Sequence, residues 1–429
     1  MLEPRNDGRM TLRDAIRILG TTATVTGTSD TELVAQVAGV QRDLVGASQE
    51  TPTKVGLSVA PGLDGPLFLR PISAMLELAR GTALQEDPEI SAVARRWAVL
   101  RYLGVFARDS TSGGLRLDGT ALQFIGPNQR RVLSEELGIG FGIVAAKHWC
   151  RTRIPSIGPI AAIDVDRSLH DGSVPNLHRN GNRQPDYLIS YPDPANPRQA
   201  VFELLETKGT VTQGNAKRQL GRAVTQLAGL TISGRPVTGL AISTVSNRSG
   251  VTIMAVDPEE EPIRWALDQD RLNEARNSQS RERKSDLRLD ISADELFAHA
   301  TNVDRAALAE FSGLHTTASR WLPHIAERRS ARTNSNTTRR TDVGQFVGTE
   351  FVVDLPGEGQ RLRLFQGVER QIAEELNSVD AIAVAEAQIA FARRDLEAST
   401  DLAAHSEAAN FGAALAFSSE GAMLELKVE

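Results

Sequence analysis

From Pro71 to Phe106, apolar residues recur at helical spacing around a proline-marked break, so this stretch is expected to be helical. The same spacing returns in GPNQRRVLSEELGIGFGIVAAKHWC, residues 126–150, and predicts one long helix with an apolar stripe. The period then shortens. Ile157 to Val165, DYLIS from Asp186 and AVFELLET from Ala200 read as strands, the last two about a Pro/Asn-rich turn. NAKRQLGRAVTQLAGL reads as an amphipathic helix, and PVTGLAISTVS and GVTIMAVDP as two more strands. The order α-β-β-β-α-β-β predicts a mixed sheet with helices packed against it.

The flanks are less regular. Residues before about Pro66 give no clear pattern, and RDSTSGGLRLDGT reads as a turn-rich link. Residues 257–290 read as a charged helical connector, Ala293 to Arg332 as helical, and RTNSNTTRRTD as a basic linker. From Val343 on, strands alternate with one long helix between Asp380 and Ala398. Four regions follow: 1–125 N-terminal mixed or helical, 126–260 a core, 261–342 a helical connector with basic linker, and 343–429 a C-terminal α/β region.

Composition narrows the classes. A net charge of −6 argues against a surface coated in phosphate-binding charge but leaves room for a local patch. The single cysteine, Cys150, excludes an internal disulfide and any zinc site of several thiolates. The N-terminus shows no apolar signal core, and stretches such as GIGFGIVAA fall short of the roughly 20 apolar residues of a membrane span. A cytoplasmic protein without membrane association is expected.

The chemistry gathers in RQPDYLISYPDPANPRQAVFELLETKG, residues 183–209. With the hairpin tip near Ala195–Asn196, Asp186 falls opposite Glu206, where Cα atoms lie about 4.5–5.5 Å apart. Two like charges that close repel, and a divalent cation between them removes the penalty. Glu206 and Lys208 are two apart and share a face. Two carboxylates and an ammonium on one patch suit metal-assisted phosphodiester cleavage. The alternative is a surface hairpin whose polar ends are simply solvated.

Pro185-Asp186 followed by Glu206-Thr207-Lys208 resembles the PD-(D/E)xK signature of restriction-endonuclease-like nucleases, and the element order from about Gly126 to Pro258 resembles that family's core. The resemblance implies a restriction-endonuclease-like α/β fold with Mg²⁺, or Mn²⁺ in its place, held by Asp186, Glu206 and the Thr207 carbonyl, and a catalytic Lys208. It implies an acid from the first core helix, where SEELG offers Glu135 and Glu136 with Glu136 preferred, and a glutamine after the motif, where Gln219 is nearer than Gln226. A magnesium-dependent nuclease follows, acting on DNA sooner than RNA, in a restriction or antiphage setting. It would work as a homodimer or larger assembly, with a partner subunit an option. The reading set against it is a DNA-binding or scaffold subunit with an inactive nuclease fold.

Other candidates compete. Val303 to Ile325 resembles a helix-turn-helix, with Ala309 and Gly313 at the tight-turn spacing; Thr316, Thr317 and Arg320 would then face DNA. Arg328, Arg329, Arg332, Arg339 and Arg340 read as a solvated linker or a phosphate-tracking run. GIGFG neither follows a strand nor opens a helix, so it reads as close helix packing rather than a phosphate loop. His170 and His178, in the loop before the motif, are candidate substrate contacts or local bases.

Overall fold

The hairpin that carries the motif lies inside a sheet wider than its own region. The structure, a computed structural model, describes residues 10–47, 56–81, 88–154, 158–165, 168, 185–233, 235–258, 262–277, 289–291, 293–322, 336–355, 360–399 and 412–429. In chain order its first strands are β1 (Ala23–Thr28), β2 (Leu57–Ser58), β3 (Gly65–Leu69), β4 (Phe106–Arg108), β5 (Leu115–Leu117), β6 (Ala161–Asp164), β7 (Tyr187–Asp193) and β8 (Asn196–Thr210). There follow β9 (Leu230–Ile232), β10 (Arg235–Pro236), β11 (Gly239–Ser246), β12 (Val251–Pro258) and β13 (Ile263–Ala266).

The protein is α/β, with a mixed sheet flanked by helices. β6, β7 and β8 form an antiparallel meander; β11 joins β8 in parallel, and β12 joins β11 antiparallel. The long helix Pro127–Arg153 precedes this series and the helix Gln213–Leu227 sits inside it, so the element order matches the sequence expectation. β11 is buried along its whole length, which explains its unbroken run of small and apolar residues.

Ile242 and Ser243 are consecutive on β11 and so point to opposite faces. Ile242 lies over Gly142 of the long helix, while Ser243 bonds Gln219 of the helix Gln213–Leu227. The two helices therefore cover opposite faces. Lower on the Gln219 face, Phe202 stacks on Phe297 of the helix Ala293–Phe311, with ring centroids 3.9 Å apart.

The glycines of GIGFG serve packing. An added Cβ would come within 2.7 Å of Gly209 at Gly138, 2.4 Å of the Ala74 carbonyl at Gly140, and 2.7 Å of the Thr207 side chain at Gly142. Each glycine costs up to about 1 kcal/mol of helix propensity, and each lets a neighbouring backbone or side chain come close. Two of the three contacts are on the motif strand.

Three expectations about the flanks change. First, residue 125 does not bound a separate unit: β1 lies parallel to β12, β3 pairs with β1, and Val40 of the helix Thr31–Ala47 presses on Gly221. Short strands without long alternation hid this. Second, the charged connector supplies a strand. β13 continues the β8 ladder where β11 begins, with Ile263 opposite Phe202 and Gly239 opposite Leu204; buried Trp265 anchors it beside Phe297. Third, the end of the basic linker is an edge strand rather than coil.

That strand belongs to the C-terminal sheet. After β14 (Leu289–Ile291) come β15 (Thr337–Arg340), β16 (Gln345–Asp354), β17 (Arg361–Glu369), β18 (Ala413–Phe417) and β19 (Ala422–Val428). The last five form one antiparallel sheet, with the helices Arg370–Ser378 and Ala381–Ser399 between β17 and β18. Arg339 pairs with Glu350 and Glu425, so its guanidinium tracks carboxylates within the sheet. Arg328, Arg329 and Arg332 lie outside the described residues. Among the described residues no helix is long and apolar enough to cross a membrane.

Candidate metal and phosphodiester site

The β7–β8 register sets Tyr187 opposite Leu205 and Leu188 opposite Leu204. One step further out, Asp186 meets Glu206, the pairing expected from the turn. The Asp186 N–H donates to Glu206 Oε2 at 2.9 Å. In return, Asp186 Oδ2 accepts the Thr207 N–H at 3.0 Å and the Thr207 hydroxyl at 3.1 Å. The two strand ends clamp each other through the side chains that carry the chemistry.

Lys208 completes the cluster. Its ammonium donates to Glu206 Oε1 and stands 4.0 Å from Asp186 Oδ2. Burial divides the roles: the Glu206 side chain has 0% exposure, Lys208 25% and Asp186 34%, so Asp186 is the face the site turns to solvent. Burial, followed by the negative charge of Asp186, pushes the Glu206 carboxyl well above the ordinary range, and Lys208 only partly offsets this. Burial pulls Lys208 down, but Glu206 and Asp186 outweigh it, so its pKa is raised and it keeps its proton. Among the described residues the cluster gathers two acids, Asp186 and Glu206, and one base, Lys208.

Gln219 also arrives where expected. Its amide donates to the Gly209 carbonyl at 3.2 Å, and its carbonyl oxygen accepts from the Ser243 hydroxyl at 3.1 Å. It bridges β8 and β11 beside the motif. Ser243, in register with Lys208, was not singled out from sequence, because nothing local to it says which strand it neighbours.

The helical acid is exchanged. Glu136 accepts from the Tyr102 hydroxyl and pairs with Arg101, away from the cluster. Glu135 is the acid whose charge helps raise Lys208, and its backbone lies against Gly209. A signal for this was present. Glu135, Gly138 and Gly142 share one helical stripe, the stripe that meets β8, whereas Glu136 shares its own with Gly140, which meets Ala74.

The DNA-facing reading of the second helical pair changes too. The helices Ala293–Phe311 and His315–Trp321 meet at Gly313, whose φ is +76°. Thr317 is buried and donates to Asn377 Oδ1 at 3.3 Å, Arg320 bonds the same asparagine, and the Trp321 indole donates to the Leu376 carbonyl. The short helix docks on the C-terminal region through residues expected to face DNA; Thr316 alone of the three is exposed without such a contact. His170 and His178 lie outside the described residues.

Among the described residues no three His, Cys, Asp or Glu side chains form a metal cage. The donor set at the motif suits a different kind of site. Asp186 and Glu206 offer hard carboxylate oxygens on a partly open patch, and Mg²⁺ takes one or two carboxylates together with water and substrate phosphate. A divalent charge here would also offset both the burial and the neighbouring Asp186 charge that keep Glu206 hard to ionise. Comparison with protein-family models, curated proteins and solved structures finds no match to this chain.

Proposed function

We propose that the protein is a magnesium-dependent nuclease with a restriction-endonuclease-like core, acting on DNA. The observation that carries this reading is the facing pair Asp186–Glu206 with the Lys208 ammonium on one and 4.0 Å from the other. A structural ion pair needs one acid per base. A second acid set opposite the first, one-third exposed, adds repulsion that a bound divalent cation would relieve.

Bound Mg²⁺ would supply Lewis-acid polarisation of a phosphoryl oxygen and acidify water. The chain's own residues do the rest. Asp186 and Glu206 hold the cation at the strand ends. The reciprocal Asp186–Glu206 and Thr207–Asp186 hydrogen bonds fix both carboxylates before substrate arrives, so little reorganisation accompanies reaction. Lys208, kept protonated, stabilises negative charge building on the phosphoryl group. Gln219 holds the Gly209 backbone and so the position of Lys208.

The test is cutting of plasmid and linear duplex with Mg²⁺ or Mn²⁺, with and without EDTA, beside Lys208→Ala and Asp186→Asn. Chelator-sensitive cutting that falls about a hundredfold or more in both variants is expected, on the scale of removing one preorganised electrostatic interaction. Cutting that survives Lys208→Ala, or none by the unaltered chain with either ion, defeats the proposal.

A further inference from the structure

From residue 207 to 256 the chain has no aspartate or glutamate, although its net charge is −6. The same stretch contains Lys208, Lys217, Arg218, Arg222, Arg235 and Arg248. It starts in the motif and turns at once into the helix Gln213–Leu227. One face of that helix packs on the sheet through Ala216, Leu220, Ala223 and Leu227, and Gly221 receives Val40 from the helix Thr31–Ala47. Asn215, Arg218 and Arg222 are exposed at i, i+3 and i+7 on one stripe, while half-buried Lys217 lies on another side of the helix, past Gly221. Among the described residues, Lys217, Arg218 and Arg222 form no ion pair. Some exposed arginines elsewhere are neutralised, Arg361 by Asp354, Arg370 by Glu374 and Arg394 by Glu369, so what sets this stripe apart is its place beside the motif in an acid-free stretch. The neighbouring helix carries Glu32, Arg42 and Asp43, and among the described residues neither acid pairs with Arg218 or Arg222.

Gln219 lies within this stripe and binds the Gly209 carbonyl, so the unneutralised charge borders the catalytic cluster. The helix rises about 6 Å from Arg218 to Arg222. Cations left unpaired along a helix beside a phosphodiester site match a polyanion's backbone in charge and in direction.

We propose that Arg218 and Arg222 form a phosphate rail that holds the DNA backbone on its way to Lys208. This rests on the nuclease reading for its choice of DNA, but the rail works without metal and without cutting. Removing one phosphate-binding cation should lower the slope of log affinity against log salt by about 0.9.

The experiment is binding of a labelled 30-base-pair duplex to the full chain in EDTA, where no cleavage occurs, over a range of salt. Three proteins are compared: the unaltered chain, the double variant Arg218→Ala, Arg222→Ala, and a charge-matched control, Arg13→Ala, Arg393→Ala, at exposed sites on other elements. The proposal expects the rail variant alone to lose about tenfold or more in affinity and about two units of salt slope. Both substituted positions are exposed, so melting temperature should hold. Equal loss in the control, an unchanged slope, or no duplex binding by the unaltered chain overturns the rail. Loss of binding by the rail variant with no cutting in Mg²⁺ would sink the nuclease reading and leave the rail standing; cutting with an unchanged slope would do the reverse.

Discussion

At Glu420 two cations converge on one carboxylate; at Glu206 one cation serves two. Arg80 reaches Glu420 Oε1 at 2.6 Å, and Lys147 reaches both of its oxygens at 3.1 Å. Lys147 also holds Glu77 at 2.7 Å, and Arg305 holds Asp304 at 2.7 Å, completing three acids and three bases. Exposures are 9% for Arg80, 5% for Lys147 and 1% for Glu420, so the cluster is sealed. Burial alone would raise the Glu420 carboxyl, but Arg80 and Lys147 overcome it and hold the pKa at about 2. The motif cluster has the opposite balance, since Glu206 is raised and Asp186 meets solvent. Both regions bury a glutamate among charges. The one open to water, with two carboxylates facing each other, is the one the proposed cation would suit.

The position of the sealed cluster explains its balance. It joins the helices Pro71–Gly81, Pro127–Arg153 and Ala293–Phe311 to the turn between β18 and β19. Ser419 donates to Glu420 Oε2 at 3.0 Å, and Gln388 caps the Glu420 carbonyl at 3.2 Å. It is a staple between the central sheet's helices and the C-terminal sheet. Glu420→Ala should therefore give the largest stability loss, about 3–5 kcal/mol, because Arg80 and Lys147 stay buried without their shared partner. Urea unfolding measures it, and a loss below about 1 kcal/mol would mean that the staple holds nothing together.

Next in size is the packing under the motif. Gly209→Ala would place a Cβ 1.7 Å from the Ser134 carbonyl oxygen, backbone against backbone. Overpacking of this kind costs about 1–3 kcal/mol or more. Lys208 and Glu135 flank the contact, so cutting should fall along with stability. Gly214→Ala, with nothing within 4 Å of the new Cβ, is the matched control and should change neither. If Gly209→Ala cuts normally, the close approach of helix to strand does not position Lys208.

These contrasts also show what the chain's pattern could reveal. The Asp186–Glu206 pairing was expected from a tip near Ala195–Asn196, but the turn closes at Asp193–Asn196 and it is a register shift between Pro192 and Asp193, invisible in the sequence, that sets the two acids opposite each other. Gln219 was legible from its distance along a helix that starts just after the motif. Ser243 was not, since its place beside Lys208 depends on β11 pairing with β8 across an intervening helix. The β1–β12 ladder joins residues more than two hundred positions apart, and no local period reports it. The Glu420 staple was illegible for the same reason: its charges come from four distant segments, each ordinary by itself.

The smallest effect is the sharpest test of the comparison, because the two glutamates should pull stability in opposite directions with pH. Glu420 has a folded pKa below its ordinary 4.5, so its contribution is present above 4.5 and is lost as pH falls toward about 2. Glu206 has a folded pKa above 4.5, so its contribution is present below 4.5 and is lost as pH rises through the folded value. In EDTA, melting temperature should therefore rise from strongly acidic pH toward 4.5 and then lose ground toward neutrality. Glu206→Gln should flatten the second limb and leave the first alone. Mg²⁺ should flatten the second limb in the unaltered chain, by neutralising the Asp186–Glu206 pair, and do nothing in the variant. A neutral-side limb identical in Glu206→Gln and the unaltered chain would mean that Asp186 and Glu206 do not strain each other, and the physical argument for a cation between them would fail.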